Sequence, residues 1–291
     1  MIKIKVPATT ANIGPGFDSL GLAFKLYSYF SFEEIEEGLE ITGCEEEYRN
    51  EENLVYTSFK KTLEKLNATV KGVRIKIESN IPVSRGLGSS AACIIGGVMG
   101  ANEISGGELS KMEIFNICNE IEGHPDNISP ALFGGLTASL VADEVPYFTK
   151  YKVSEDLSFC ALIPGFKLST QEARKVLPNI VLYNQATHNI SRTAVLLKSL
   201  EEGNRSLIKI ALEDKLHEPY RKSLIDEYNE VREICENNNV IGFFISGAGP
   251  TLMGIVDKNL NKFNLEKEIS NLKNNWAIKK LDVDLEGALV L

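Results

Sequence analysis

The chain has no apolar run near the ~18 residues that a membrane-spanning helix needs, so a membrane is not an expected partner. Its opening, MIKIKVPATT, alternates Ile and Val with Lys as a strand does, and it lacks the apolar block of a signal peptide. A cytoplasmic protein is the expectation. Basic residues are in deficit: 31 Lys and Arg stand against 40 Asp and Glu, a formal charge of -9. Nonspecific nucleic-acid binding rests on a surplus of cations facing phosphates, so nucleic acid is not expected either. A local basic pocket for an acidic metabolite stays open, because net charge says nothing about clefts. Cys44, Cys93, Cys118, Cys160 and Cys235 are scattered, odd in number and never paired as CxxC. That pattern suggests reduced thiols and offers neither a disulfide framework nor a zinc site. Internal repeats and low-complexity tracts are also missing.

What is present suits a globular protein of two domains: 291 residues, 43% of them apolar. In the first half, Ile2, Ile4 and Val6 alternate as a half-buried strand, and LYSYFSFEEIE and GVRIKIE read the same way. Leu54, Val55, Phe59, Leu63 and Leu66 fall at helical spacing. A second helix is expected near Gly88 and a third near Ser110, where SKME has the form of a capping box. ALFGGLTASLV, residues 131–141, reads as a strand. Later come a buried strand in SFCALIP, several helical segments, the strands GFFISG and TLMGIV, a helix over 261–275 and a last strand from Trp276. Strand, helices, two strands, helix and strand is the order of a ferredoxin-like unit. The expected division is 1–154 and 155–291, an α+β architecture.

One further lack is chemical. The stretch PVSRGLGSSAACIIGGVMGAN is a glycine-rich turn leading into a helix, yet no lysine follows its last turn glycine. A helix that opens at Gly88 or Ser89 exposes amides with no intrahelical partner, and its dipole adds about half a positive charge. Gly86 and Gly88 would let a polyphosphate approach that backbone closely. Ser90 could offer its hydroxyl to a phosphate or to a magnesium ion. Gly96, Gly97 and Gly100 weaken the helix by of order 1 kcal/mol each, which makes sense if it packs tightly on a sheet.

The string PVSRGLGSSAA resembles the ATP-binding motif of the GHMP kinases. Two further strings, PATTANIGPGFDSLGLA and SGAGPTLMGIV, are similar to that family's N-terminal motif and C-terminal glycine loop, in the right order and across nearly the whole chain. The resemblance implies a ribosomal-protein-S5-like N-terminal domain, a ferredoxin-like C-terminal domain and a site in the cleft between them. It implies ATP held by Pro82, Val83, Ser84, Arg85, Gly86, Leu87, Gly88, Ser89, Ser90, Ala91 and Ala92. Asn53, in NLVY, is either a contact to the base or a simple helix N-cap. Magnesium is implied on Ser90 and Glu122, with Glu120 facing elsewhere; one hydroxyl, one carboxylate, waters and phosphates suffice for that ion.

Four segments, ANIGPGFDSLGLA, EGHPDNISPALFGG, STQEAR leading to LP, and LHEPYR, resemble the members of the family that phosphorylate L-homoserine. The implied substrate residues are Asn12, Asp18, His124, Asp126, Thr170, Arg174, Arg221 and Gly247. Homoserine is a zwitterion, so its carboxylate suits the guanidinium forks of Arg174 and Arg221 and its ammonium suits Asp18. Asp126 shares that task or positions water. His124 is either a general base or, preferably, a hydrogen-bonding wall residue. His188 and His217 are expected to be structural, with His217 orienting Arg221. Where other family members carry an Asp base, this chain has Asn127, which cannot usefully accept a proton. In-line attack by the hydroxyl, oriented by Asn127 and Asn12, is therefore expected. Alternatives are another small-molecule GHMP kinase or a non-catalytic sensor on the same scaffold. Related enzymes are often dimers, so a homodimer is expected.

Overall fold

The computed structural model describes residues 1–259 and 263–291. The first part of the chain forms β1 (Ile2–Ala11), β2 (Leu20–Ile35), β3 (Gly38–Thr42), α1 (Leu54–Leu66), β4 (Gly72–Ser79), α2 (Ser89–Ile104), α3 (Lys111–Glu122), α4 (Ile128–Phe133), β5 (Leu136–Ala142) and β6 (Val145–Tyr151). The second forms β7 (Leu157–Ile163), α5 (Thr170–Lys175), α6 (Tyr183–Glu202), α7 (Arg205–Ala211), α8 (Glu218–Arg221), α9 (Tyr228–Asn237), β8 (Gly242–Ile245), β9 (Leu252–Asp257), α10 (Phe263–Ile269), β10 (Ala277–Leu281) and β11 (Leu289–Val290).

The long strand β2 organises the first sheet. One end pairs with β5, Leu20 opposite Ala138, and the rest pairs with β1 and β4. Its inward rings, Phe30 and Phe32, meet α2, where Gly96 lies against Phe30 and Gly100 against Phe32. Gly97 lies against the Val55 carbonyl of α1, so the three helix glycines trade propensity for close approach. Ser110 and Glu113 cap α3 reciprocally, as the spacing predicts.

The second sheet has the order β10-β7-β9-β8, every neighbour antiparallel, which is the ferredoxin-like topology. The two sheets share one core: Phe24 of β2 lies 5.2 Å, centroid to centroid, from Phe159 of β7.

Three expectations need adjustment. Residues 131–141 are not one strand. α4 runs to Phe133, and Gly134 and Gly135, both at positive φ (73° and 78°), turn the chain before β5. The predicted helix over 261–275 begins partly outside the described residues and stops at Ile269, beyond which the Glu227 carboxylate accepts from the amides of Lys273 and Asn274 (2.7 and 3.0 Å). Sheet membership changes between Tyr151 and Leu157, but β11 returns to pair with β1, Ile4 opposite Val290, so the last residues complete the first sheet.

Candidate active site

Three loops interlock at the junction of the two sheets. The amide of Thr9 donates to the Leu87 carbonyl (3.2 Å), and that of Gly247 donates to the Ala11 carbonyl (3.1 Å). Ser246 Oγ bridges Thr10 Oγ1 (2.7 Å) and the Gly86 carbonyl (2.5 Å). Gly86 and Gly88 adopt φ of 72° and 71°, and any Cβ there would strike Ser246 and Thr9 respectively. Gly88 caps α2 without a side-chain bond, which leaves the leading amides of a 16-residue helix to an incoming anion.

That helix start looks into a cavity of about 730 Å³. Its walls include Asn12, Asp18, Ser90, Glu122, His124, Asp126, Asn127, Thr170, Arg174, Arg221 and Gly247, so every residue expected around substrate and metal borders one space. A second, more apolar cavity of about 1340 Å³ adjoins it, and the two have Ser84, Ser89 and Ser90 in common. Phe30, Leu54, Ile77, Ile81, Pro82 and Val83 are among its walls, a suitable seat for a nucleobase.

The arginines reach the first cavity by different routes. A Ser169–Glu172 capping box starts α5 and fixes the turn that carries Arg174, whose guanidinium makes a bidentate bond to Asp18 (3.1 Å to each oxygen). Two groups expected to hold opposite ends of the substrate thus hold each other. Arg221 is 2% exposed, donating through Nη1 to the Gly247 carbonyl (2.9 Å) and through Nε to the Ala173 carbonyl (3.2 Å). Burial and the neighbouring Arg174 bring its pKa down to about 10, so it stays charged at neutral pH. Phe17 stacks beneath both, its centroid 5.1 Å from Arg221 and 6.0 Å from Arg174. The sequence reading missed Phe17; its place inside the first motif was the available signal.

His217 is fully buried and stacks on the Phe17 ring, centroids 5.1 Å apart. Its Nε2 donates to the Gly14 carbonyl (3.0 Å), which leaves Nδ1 to accept from Arg221 Nη1 (3.4 Å). Burial holds this imidazole well below its ordinary pKa. The unfolded chain takes up that proton near pH 6.5, whereas the folded chain resists until lower pH, so acidification favours unfolding. Thermal midpoints should fall from pH 7 to pH 5, and a His217→Gln variant should lose part of that slope in a melting series.

Across the cavity, Ser90 Oγ donates to Glu122 Oε2 (2.8 Å), and burial pushes the Glu122 carboxyl up. Glu120 instead makes an exposed ion pair with Lys65 (2.6 Å). His124 Nδ1 lies 2.8 Å from Asp126 Oδ1, and that bond raises the imidazole pKa, favouring its charged form over a free base. Asn127 Oδ1 accepts from Thr9 Oγ1 (2.7 Å), which leaves its N–H donors for the cavity.

Some of the expected ligand groups already have partners within the protein. Asn12 donates to the Gly247 carbonyl (2.8 Å) and accepts from the Asp18 amide (3.0 Å), so it fastens loops together. Asn53 lines the apolar cavity, but its amide caps α1 through Val55 N and donates to the Tyr48 carbonyl. Arg85 turns away to the carbonyls of Val83, Pro164 and Gly165, and Arg85, Leu87 and Ala92 border neither cavity.

Comparison with known proteins agrees with this geometry. Residues 53–135 match the model of the GHMP kinases N terminal domain and residues 196–276 that of the GHMP kinases C terminal. The chain belongs to the GHMP kinase family. Along its whole length it is 48% identical to a homoserine kinase of Clostridium botulinum, covering 98% of that protein. The crystal structure of homoserine kinase from Cytophaga hutchinsonii superposes with a TM-score of 0.86 at 25% identity, covering 100% of this chain and 97% of that one. At 13% identity, L. major mevalonate kinase in complex with R-mevalonate shares the fold alone, with a TM-score of 0.78 over 98% of this chain and 96% of that one. Within the family, the chain sides with the homoserine kinases.

Proposed function

We propose that this protein transfers the γ-phosphoryl group of ATP to the side-chain hydroxyl of L-homoserine, giving O-phospho-L-homoserine and ADP, a step toward threonine. The observation that carries the reading is the meeting of two guanidiniums and a carboxylate with the open end of α2 in one cavity. The helix amides and dipole suit the phosphates of ATP, and the adjoining apolar cavity suits its base. Arg174 and Arg221 receive the homoserine carboxylate. Asp18 exchanges its bond to Arg174 for the substrate ammonium, an exchange of like for like that costs little.

Asn127 presents donors and no basic site, so it steers the hydroxyl and the transferring phosphoryl oxygens without taking the proton, which passes to phosphate or water as the new bond forms. His124 and Asp126, held to one another, form a polar wall beside it. Asn12 acts at one remove, holding Gly247 and Asp18. Ser90 and Glu122 fit a magnesium site: a hydroxyl and a buried carboxylate share one wall beside the phosphate loop, and the carboxylate has no cationic side chain bonded to it among the described residues. Magnesium there would neutralise phosphate charge. We also read the protein as a cytoplasmic homodimer, on the family resemblance and on a scattered cysteine pattern that suggests reduced thiols.

A panel of ATP with homoserine, mevalonate and diphosphocytidyl-methylerythritol, followed by ADP release, tests the reading. Turnover should be confined to homoserine. ATP binding with no turnover of any alcohol would favour the sensor instead.

A further inference from the structure

β8 ends the order of its sheet, so among the described residues one of its edges has no partner strand, and the amides along such an edge need another acceptor. Glu218, the first residue of α8, supplies one: its Oε1 accepts from the Ile245 amide at 2.7 Å. One helical turn later on α8, Arg221 Nη1 donates to the carbonyl of Gly247, two residues beyond Ile245. The four residues close a ring in which the turn bearing Arg221 is pinned to the strand end at both of its own ends. Asp214 fixes the entry to that turn, its carboxylate accepting from the amides of Leu216, His217 and Glu218 (3.0, 2.8 and 2.7 Å). Without Glu218, the hydrogen bond that remains between α8 and this strand end, among the described residues, is the one made by the substrate-binding guanidinium itself.

We propose that Glu218 is a positioning residue for substrate recognition: its carboxyl closes the open edge of β8 and so holds Arg221 at the reach that the homoserine carboxylate requires. The inference rests on the reading of Arg221 given above. Glu218 does not line the substrate cavity; its other side faces a separate cavity of about 1030 Å³ on the far side of α8. That space gives the carboxyl a route to solvent for proton exchange.

Burial pushes the Glu218 carboxyl up to about 8, so it is protonated at neutral pH. The charges that face it are Asp214 before α8, Arg221 on α8 and Arg232 on α9, with the Tyr228 hydroxyl nearby and held neutral by burial. Lys209, Glu213, Lys222 and Glu236 stand on the cavity walls. Ionisation above pH 8 adds a negative charge behind Arg221 that draws the guanidinium away from Gly247 and from the substrate.

Steady-state kinetics on the full-length enzyme with Glu218→Ala and Glu218→Gln, each substrate varied in turn from pH 7 to pH 9, test this. Glu218→Ala should raise KM for homoserine roughly tenfold or more, as small displacements of a binding group do, and leave KM for ATP unchanged. Glu218→Gln keeps an acceptor for Ile245, so it should restore a near-normal KM at pH 7. Wild-type KM for homoserine should climb above pH 8, and Glu218→Gln should lack that climb; titration of the substrate amine is common to both enzymes. Equal changes in both KM values, or identical pH profiles for wild type and Glu218→Gln, would overturn the inference. If Glu218→Ala fails to fold, the Glu218→Gln profile still decides. A wild-type enzyme inert toward homoserine would instead overturn the underlying reading of the site.

Discussion

Arg174→Ala should cut kcat/KM for homoserine by well over an order of magnitude and leave ATP binding nearly intact. Removing one partner of a desolvated charge pair costs about 2–5 kcal/mol. The Arg174 side chain is 39% exposed before substrate arrives, which puts the effect at the lower end, roughly thirtyfold. The fold should survive. Among the described residues the Arg174 side chain is hydrogen-bonded to Asp18, and an ion pair this open to water contributes little to stability. Arg174→Lys should recover only part of the loss, because an ammonium cannot reproduce a planar fork. Initial rates with homoserine and ATP varied independently separate the outcomes. If ATP affinity falls as far as homoserine use, Arg174 serves the nucleotide, and the division of the cavity into two substrates' territories is wrong.

Glu122→Gln should lower kcat about a hundredfold or more, because a carboxylate aimed at developing phosphoryl charge through a bound ion is among the stronger electrostatic contributions a site makes. Gln retains an oxygen for the Ser90 hydroxyl, and it removes a buried charge whose desolvation is only partly compensated in the free enzyme. The thermal midpoint should therefore hold or rise while activity collapses. Calorimetric titration of Mg2+ into the enzyme with ADP present should show weaker binding than wild type. Unchanged Mg2+ affinity would remove Glu122 from the metal site, whatever the rate does. A stable variant with a lost ion and a lost rate is a combination that damage to the fold cannot produce.

Much of this site was legible along the chain because its parts are local. The α2 glycines, the capping box at Ser110 and the glycines of the phosphate loop each follow from a few adjacent residues and the backbone they permit. The partners that individual side chains hold were not legible, for a physical reason. Asn12, Asn53 and Arg85 carry groups suited to ligands, but backbone groups nearer in space claim them. Which acceptor reaches a polar side chain first is a matter of distance between segments far apart in sequence. The Arg174–Asp18 pair, 156 residues apart, is of that kind, and so is the Phe17 ring under two guanidiniums.

By itself, the order of residues determined the strand and helix periodicities, the helix whose leading amides face the site, and the chemical inventory of a phosphate loop, two arginines and acidic partners. Those are consequences of short-range sterics and hydrogen bonding. Only the tertiary structure decided that β11 completes the first sheet, that α4 ends in a double-glycine turn, and that Glu218 stands in for a missing strand behind Arg221. Each of these depends on which unpaired backbone group or apolar face meets another across the fold, and that contact exists only once the chain has closed on itself.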